Sequence, residues 1–255
     1  MKLANTIPTV SIVIATHARR SKLQHCIRMI REIVSIPHEI IVVGGGGDGT
    51  EEWLAGQSDL HYIRETHREG ATKAYNKGFR AASGKYVMWL NDDSYPLANA
   101  VESAVDMLER DQTAQIGMIA FYHNESRERN KLDTIHHDSV AYSIYNVRGL
   151  PYANFGLLPR NLLHRLDYLD ERFFFCAWDP DLSLKVQRVA GLRVVGCRQA
   201  LIHHDELLDD RKRHDMTIIE ADNARLFAKW LLPQKDAYPD PKPEYQRMVA
   251  ELVVS

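Results

Sequence analysis

Cysteine is scarce in this sequence, and long apolar runs are absent from it. Its three cysteines are odd in number, far apart and outside any metal-ligand spacing, which argues against a disulfide framework and indicates reduced thiols in a cytosolic protein. The longest apolar runs fall well short of the about 18 to 20 residues of a membrane helix, so no span is expected. The first residues also lack the apolar region of a signal peptide. We therefore expect a cytoplasmic location.

The sequence also lacks a charge excess, internal repeats and low-complexity tracts. Its net charge of −2 gives no basic field for nucleic acid and no acidic tail typical of disorder. With 255 residues, 45% of them hydrophobic, the chain is long enough for one large domain, or a domain plus an appendage, around a sizeable core.

Strand and helix patterns alternate through the first half of the chain. The first of four short apolar runs is "TVSIVIA" and the second "EIIVV"; they cover residues 9–15, 39–43, 60–64 and 85–90. Helical spacing lies between them, with Ser21 as the expected cap of the first helix and Pro96 as the start of a later one ending near Arg110. This pattern predicts an α/β fold with a mostly parallel sheet covered by helices on both faces.

The second half is less regular. We expect strands at 116–122 and 140–147, a strand pair within 192–204, and helices at 160–167, from about Pro180, and at 216–232. The last helix carries Leu226, Phe227, Trp230, Leu231 and Leu232. It is expected to pack on the core, to form a homodimer or to contact a membrane surface.

Polar segments follow three of the first-half strands. They are the loop after Ala15, the glycine run Gly44–Thr50 and the triplet Asn91-Asp92-Asp93. Because ligands of parallel sheets bind beyond the carboxyl ends of the strands, these segments predict one ligand site.

The triplet itself allows two interpretations. Carboxylate oxygens suit Mg²⁺ or Mn²⁺, which keep open positions for substrate phosphates. Alternatively, the triplet is a polar turn in which Asp93 or Ser94 caps the helix after Pro96.

The glycine run also allows two interpretations. Gly44, Gly46 and Gly49 match the dinucleotide fingerprint G-x-G-x-x-G, with Glu65 near the place of a ribose-binding acid. Against this, Asp48 puts a carboxylate inside the loop, and the strand is the second one. The other interpretation is a flexible turn with Asp48 or Thr50 as helix cap.

Two later motifs carry further chemistry. In "WDPDL", Asp179 and Pro180 suit a helix start, while a carboxylate there also suits a general base. His203 and His204 are either metal ligands or polar strand ends, since a second pair at 136–137 shows how common such pairs are in this chain.

Five motifs in one order resemble the inverting family 2 glycosyltransferases of GT-A fold. They are "VSIVIATHARRSKL", "EIIVVGGGGDGT", "GATKAYNKGFRAASGKYVMWLNDD", "DYLDERFFFCAWDPDL" and "ALIHH", and they cover roughly residues 9–205. The resemblance implies a transferase of hexosyl or related groups, with a nucleotide-diphosphate sugar as donor and Mg²⁺ or Mn²⁺ as cofactor.

The resemblance also implies residue roles. Donor contacts would come from the residues at the strand tips and Lys73; Asp93 would bind the metal with His204 as a further ligand; Asp179 would be the general base with Asp181 as the fallback. The donor set comprises Thr16, His17, Arg19, Gly44, Gly45, Asp48, Lys73, Asn91 and Asp92.

Three positions depart from the family pattern. Gly44 replaces an aspartate that often contacts the base, Trp178 replaces a glutamate before the general base, and Asn91 replaces the first acid of the metal motif. An indole at 178 would suit stacking on a sugar face. Gly44 and Trp178 also motivate an alternative, a nucleotide-binding scaffold that has lost transfer.

The expected organisation has three parts: a donor-binding half at 1–115, an acceptor-binding half at 116–210 and a C-terminal helix and tail at 211–255. We expect the acceptor to be a hydroxyl of a glycan, a lipid-linked glycan, a protein or modified DNA, and the sequence leaves these alternatives open.

Overall fold

A computed structural model describes residues 7–125, 129–205 and 216–232, together with Tyr245 and Arg247. Within these ranges the strands form one sheet of eleven strands. The strands are β1 (Val10–His17), β2 (His38–Gly45), β3 (Leu60–Arg64), β4 (Tyr86–Asn91), β5 (Ser94–Pro96), β6 (Ile116–His123), β7 (Lys131–His137), β8 (Val140–Val147), β9 (Leu150–Tyr152), β10 (Gly156–Pro159) and β11 (Arg193–His204). The helices are α1 (Arg20–Ile33), α2 (Thr50–Ala55), α3 (Ala71–Ala81), α4 (Ala100–Arg110), α5 (Arg160–Arg165), α6 (Trp178–Leu184), which runs into a π-helical turn (Lys185–Val189), and α7 (Met216–Trp230).

The sheet changes character halfway along its width. Its main path is β3-β2-β1-β4-β10-β6-β11-β5, and the first four strands are all parallel. This part confirms the parallel sheet that the apolar runs predicted. The remainder is mixed, because β10 runs antiparallel to both β4 and β6 while β11 is parallel to β6. The other three strands branch from β6, where β8 pairs with β6, β7 and β9.

Both faces of the sheet are buried along its central strands, such as β1, β4 and β6, as their near-continuous apolar sequences require. In β1, Ile12 and Ile14 belong to one apolar cluster with α1 and α4, whereas Val13 belongs to the other with α3, α6 and α7. The C-terminal helix therefore packs on the core through the buried Leu226, while Leu231 is 87% exposed. Among the described helices, none combines the length and apolar character needed to cross a bilayer.

Several local predictions need correction. The helix expected at Pro96 begins at Ala100, because residues 94–96 pair with β11 as β5. Ser21 does not cap α1, which begins at Arg20; the Arg20 N–H instead donates to Asp48 Oδ2 at 2.8 Å. The expected strand pair at 192–204 is the single strand β11, whose register shifts between Cys197 and Leu201.

Candidate active site

A cavity of about 310 Å³ opens at the carboxyl ends of β1 and β4. These strands are neighbours in the parallel part of the sheet, so their tips deliver the two expected loops to one place. Later parts of the chain close the other walls. The predicted site residues that line the cavity are Thr16, His17, Arg19, Asn91, Asp92, Asp93, Asp179 and His204.

The two adjacent carboxylates are held by one guanidinium. Arg19 Nη1 lies 2.8 Å from Asp92 Oδ1, and Arg19 Nη2 lies 2.8 Å from Asp93 Oδ2. The Thr16 hydroxyl donates to Asp92 Oδ2 at 2.8 Å. Asp92 and Asp93 are only 4% and 5% exposed, so their burial requires such compensation.

His204 is the second polar neighbour of Asp93. Its Nε2 lies 3.4 Å from Asp93 Oδ1, and the backbone N–H of His204 donates to Asn124 Oδ1 at 2.7 Å. Burial by itself raises the pKa of Asp93, but the hydrogen bond and charge of His204, together with Arg19, lower that pKa to about 2. The carboxylate is therefore ionised at any physiological pH.

The residues around Asp93 suit a divalent cation only in part. Among the described residues, no three His, Cys, Asp or Glu side chains are grouped closely enough to hold a metal by themselves. The Asp93 carboxylate and the His204 imidazole make a pair of O and N donors that fits an ion taking its other ligands from a diphosphate. The buried Nδ1 of His204 has no hydrogen-bond partner among the residues that the structure describes. Arg19 supplies a positive charge beside both Asp92 and Asp93.

Asp179 lies in the first turn of α6, on the cavity side. The helix begins one residue earlier, after Ala177 with φ 62°, so Asp179 is not the cap that its Asp-Pro sequence suggested. Its Oδ2 accepts a hydrogen bond from Asn154 Nδ2 at 3.0 Å. This contact fixes the direction of the carboxylate.

Trp178 belongs mainly to the core. Its side chain lines the cavity, but the residue is 6% exposed and its ring lies 4.7 Å from that of Tyr75 and 5.7 Å from that of Trp89. The expected platform for a sugar is thus largely covered by aromatic neighbours.

Asp181 lies on the opposite side of α6 from the cavity. It is 1% exposed and its Oδ1 accepts from Trp230 Nε1 at 2.7 Å and lies 2.7 Å from Lys229 Nζ. Residues two apart on a helix point in nearly opposite directions, which separates Asp181 from Asp179. Lys73 does not line the cavity either.

The glycine run packs against β1 and forms no concave loop that could hold a pyrophosphate. A Cβ at Gly44 would lie 1.9 Å from the Thr16 carbonyl oxygen, and one at Gly46 would lie 2.5 Å from the Ala18 nitrogen. Asp48 Oδ1 accepts from the N–H and hydroxyl of Thr50. Gly44, Gly45 and Asp48 do not line the cavity, and this packing opposes the dinucleotide interpretation.

The family model of glycosyl transferase family 2 matches residues 11–173, well over half of the chain. The chain belongs to glycosyl transferase family 2. The chain spans less than a third of the length of two relatives that it matches. An uncharacterized glycosyltransferase of Rickettsia bellii is 28% identical over 201 residues, covering 75% of this chain and 29% of the relative. The O-antigen biosynthesis protein RfbC of Myxococcus xanthus is 24% identical over 269 residues, covering 92% of this chain and 20% of the relative.

Solved structures show the GT-A fold for this family 2 member. A mannosyltransferase of Pyrobaculum calidifontis, solved with GDP-Man and Mn²⁺, aligns with TM-score 0.61 at 18% identity over 97% of this chain and 70% of its own. GalNAc-T7, solved with UDP, GalNAc and Mn²⁺, aligns with TM-score 0.61 at 13% identity over 81% of this chain and 45% of its own.

Some residues that line the cavity of this family 2 chain were not predicted from the sequence. His123 ends β6, whose carboxyl end lies at the same edge as β11, so the strand-end rule applied to the second half would have found it. Its Nε2 lies 3.3 Å from Glu125 Oε2. Phe175 and Cys176 lie within the motif "DYLDERFFFCAWDPDL", which assigned them no role, and no sequence signal marks Arg68 or Asn154.

Proposed function

We propose that this protein is a metal-dependent, inverting glycosyltransferase that moves a hexosyl or related group from a nucleotide-diphosphate donor to an acceptor hydroxyl. The observation that carries the proposal is one cavity with two chemically different walls. The carboxylate pair with Arg19 and His204 forms one wall, and Asp179 lies on another. The part at 1–115 binds the donor, and the part at 116–210 binds the acceptor.

The donor side consists of the strand tips. Thr16, His17 and Arg19 border the nucleotide, Asn91 and Asp92 face the sugar-nucleotide, and Asp93 with His204 holds Mg²⁺ or Mn²⁺. A bound divalent ion stabilises the negative charge that develops on the departing diphosphate. Two structural neighbours solved with Mn²⁺ and a nucleotide or nucleotide sugar support this assignment.

Asp179 acts on the acceptor. Oriented by Asn154, its carboxylate takes the proton from the acceptor hydroxyl. The hydroxyl oxygen then forms a bond to the anomeric carbon on the face opposite the diphosphate. The bond from that carbon to the phosphate oxygen breaks, so one displacement inverts the configuration.

Thermal-shift measurements with UDP, GDP and ADP, each with and without Mn²⁺, test the donor side. We expect one nucleotide to raise the melting temperature only when Mn²⁺ is present, and Asp93→Asn to remove that metal-dependent part. Stabilisation by NAD without metal would contradict the proposal. Metal-dependent binding without slow hydrolysis of UDP-glucose, GDP-mannose or ADP-glucose would favour the scaffold alternative.

A further inference from the structure

The segment Phe173–Cys176, here called the clasp segment, is held from one side by the start of α3. The carbonyl oxygen of Phe174 accepts from the N–H of Ala71 at 2.7 Å, and that of Phe173 accepts from the hydroxyl of Thr72. Gly70 lies so close that a Cβ there would be 2.7 Å from the Phe174 oxygen. The carbonyl groups of the clasp segment thus face the donor half of the molecule.

The N–H groups of the clasp segment face the other way, toward α7. Both carboxylate oxygens of Asp222 accept from the Phe174 N–H at 3.1 Å, and Oδ2 also accepts from Phe175 at 2.8 Å and Cys176 at 3.1 Å. Arg225 Nη1 lies 2.9 Å from Asp222 Oδ1, and Asp222 is 1% exposed. Three successive N–H groups form an anion-binding concavity, and this buried carboxylate fills it.

The clasp segment leads directly into the cavity. Phe175 and Cys176 line it, Ala177 turns the chain at φ 62°, and Asp179 follows in the first turn of α6. In the opposite direction, the carboxylate of Asp181 in α6 contacts Trp230 and Lys229 of α7. Two buried carboxylates therefore join this wall to α7, one provided by each side, although no described α7 residue lines the cavity.

We propose that Asp222 is a positioning residue: it sets the path of the clasp segment and so the place of Asp179 relative to the donor. The proposal rests on the function proposed above, in which Asp179 is the general base. Charge-assisted hydrogen bonds are about twice as strong as neutral ones, and three donors would lose their acceptor if the carboxylate were removed. The inference assigns α7 a role in turnover without any contact to substrate.

The test compares Asp222→Asn with Glu220→Gln, which makes the same carboxylate-to-amide change at an exposed position of the same helix. For Asp222→Asn we expect amide exchange at 174–176 to accelerate at least tenfold. Hydrolysis of the donor sugar identified by the nucleotide screen should fall at least tenfold in kcat, with KM and nucleoside diphosphate affinity changed less than about twofold. Asp222→Glu, which keeps the charge, should restore part of kcat. Glu220→Gln should match the wild type in all measurements.

Three outcomes would overturn the proposal: unchanged exchange at 174–176, unchanged kcat, or a loss of nucleotide affinity as large as the loss of kcat. If Asp222→Asn loses its thermal transition, Arg225→Gln takes its place, because it keeps the carboxylate and its three N–H donors. It removes the cation that lies beside Asp222 and over the ring of Phe173, and the same pattern is then expected at two- to threefold. If the wild type hydrolyses no donor, the proposed function fails, whereas amide exchange still decides whether Asp222 holds the segment.

Discussion

The two walls of the cavity use buried carboxylates in opposite ways. At the tips of β1 and β4, Asp92 and Asp93 face the cavity, and their charge is met by the side chains of Arg19 and His204. On the far wall, Asp222 and Asp181 face the protein interior, where backbone N–H groups, an indole and a lysine bind them.

The two walls differ in whether a ligand can take the place of the groups that bind the carboxylates. A guanidinium at the cavity can turn aside for a ligand, because a side chain moves without rearranging the backbone. Three backbone N–H groups cannot move in this way without unfolding the clasp segment. We infer that the first wall is built to bind and release, and the second to hold Asp179 still.

The largest expected effect comes from Asp179→Asn, which removes the proposed base from the second wall. Turnover should fall by about 10²–10⁴-fold, the usual contribution of a general base. Nucleotide affinity should stay within about twofold, because the proposed donor contacts lie on the other wall. Steady-state kinetics with a parallel calorimetric titration measure both, and near-normal transfer would refute the assignment.

Asp181→Ala sharpens the contrast between two carboxylates only two residues apart. It should lower the free energy of unfolding by about 3 kcal/mol, because it leaves the indole of Trp230 and part of the charge of Lys229 without their buried partner. Urea denaturation measures this, with Asp179→Ala as the control that changes stability far less. Turnover per folded molecule of Asp181→Ala should fall no more than about tenfold. If its turnover fell further than that of Asp179→Asn, Asp181 rather than Asp179 would be the better candidate for the base.

Gly70→Ala probes the contact between the walls. The residue has φ +104°, and the Cβ of an alanine there would lie 2.7 Å from the Phe174 oxygen. We therefore expect the substitution to lower the free energy of unfolding by about 1–3 kcal/mol. Gly47→Ala is the matched control, since a Cβ there meets nothing within 4 Å. Equal melting temperatures for the two variants would show that the clasp segment is not held at this point.

The lowered pKa of Asp93 predicts that the free energy of unfolding decreases at acid pH. Its pKa is lowered to about 2 in the folded protein, against about 3.9 for an unperturbed aspartate. Its stabilising contribution is therefore complete above pH 4 and is lost as the pH falls toward 2, by up to about 2 kcal/mol. Urea denaturation between pH 6 and pH 2.5 should show a shallower decline for Asp93→Asn; identical slopes would contradict the prediction.

Arg19→Gln tests directly whether a bound cation replaces the guanidinium of Arg19 beside the two carboxylates. Its expected effect is the smallest. Removing the guanidinium beside Asp92 and Asp93 should tighten binding of Mn²⁺ alone by severalfold, since one positive charge no longer opposes the ion. Electron paramagnetic resonance titration without nucleotide measures this. Arg20→Gln, at an exposed neighbouring position, should leave it unchanged. Weaker Mn²⁺ binding in Arg19→Gln would show that the arginine does not compete with the cation.

The strand-end rule found the first wall because the relevant strands are short, apolar and parallel. It predicts that Thr16, Asp92 and Asp93 lie together, since neighbouring parallel strands end at one edge. Gly44, Gly45 and Asp48, which the same rule places at this edge, do not line the cavity, because the rule says nothing about which backbone atoms approach one another. Close packing against Thr16 and Ala18 keeps the glycine run out of the cavity.

Local sequence determined the periodicity of the elements, the parallel half of the sheet and the residues at its carboxyl edge, because these depend on residues near in the chain. Tertiary structure alone decided that Asp179 faces the cavity while Asp181 faces α7, and that Asp222 binds a segment 46 to 48 residues earlier. The physical reason is that a carboxylate's role depends on which donors surround it, and here those donors come from distant parts of the chain.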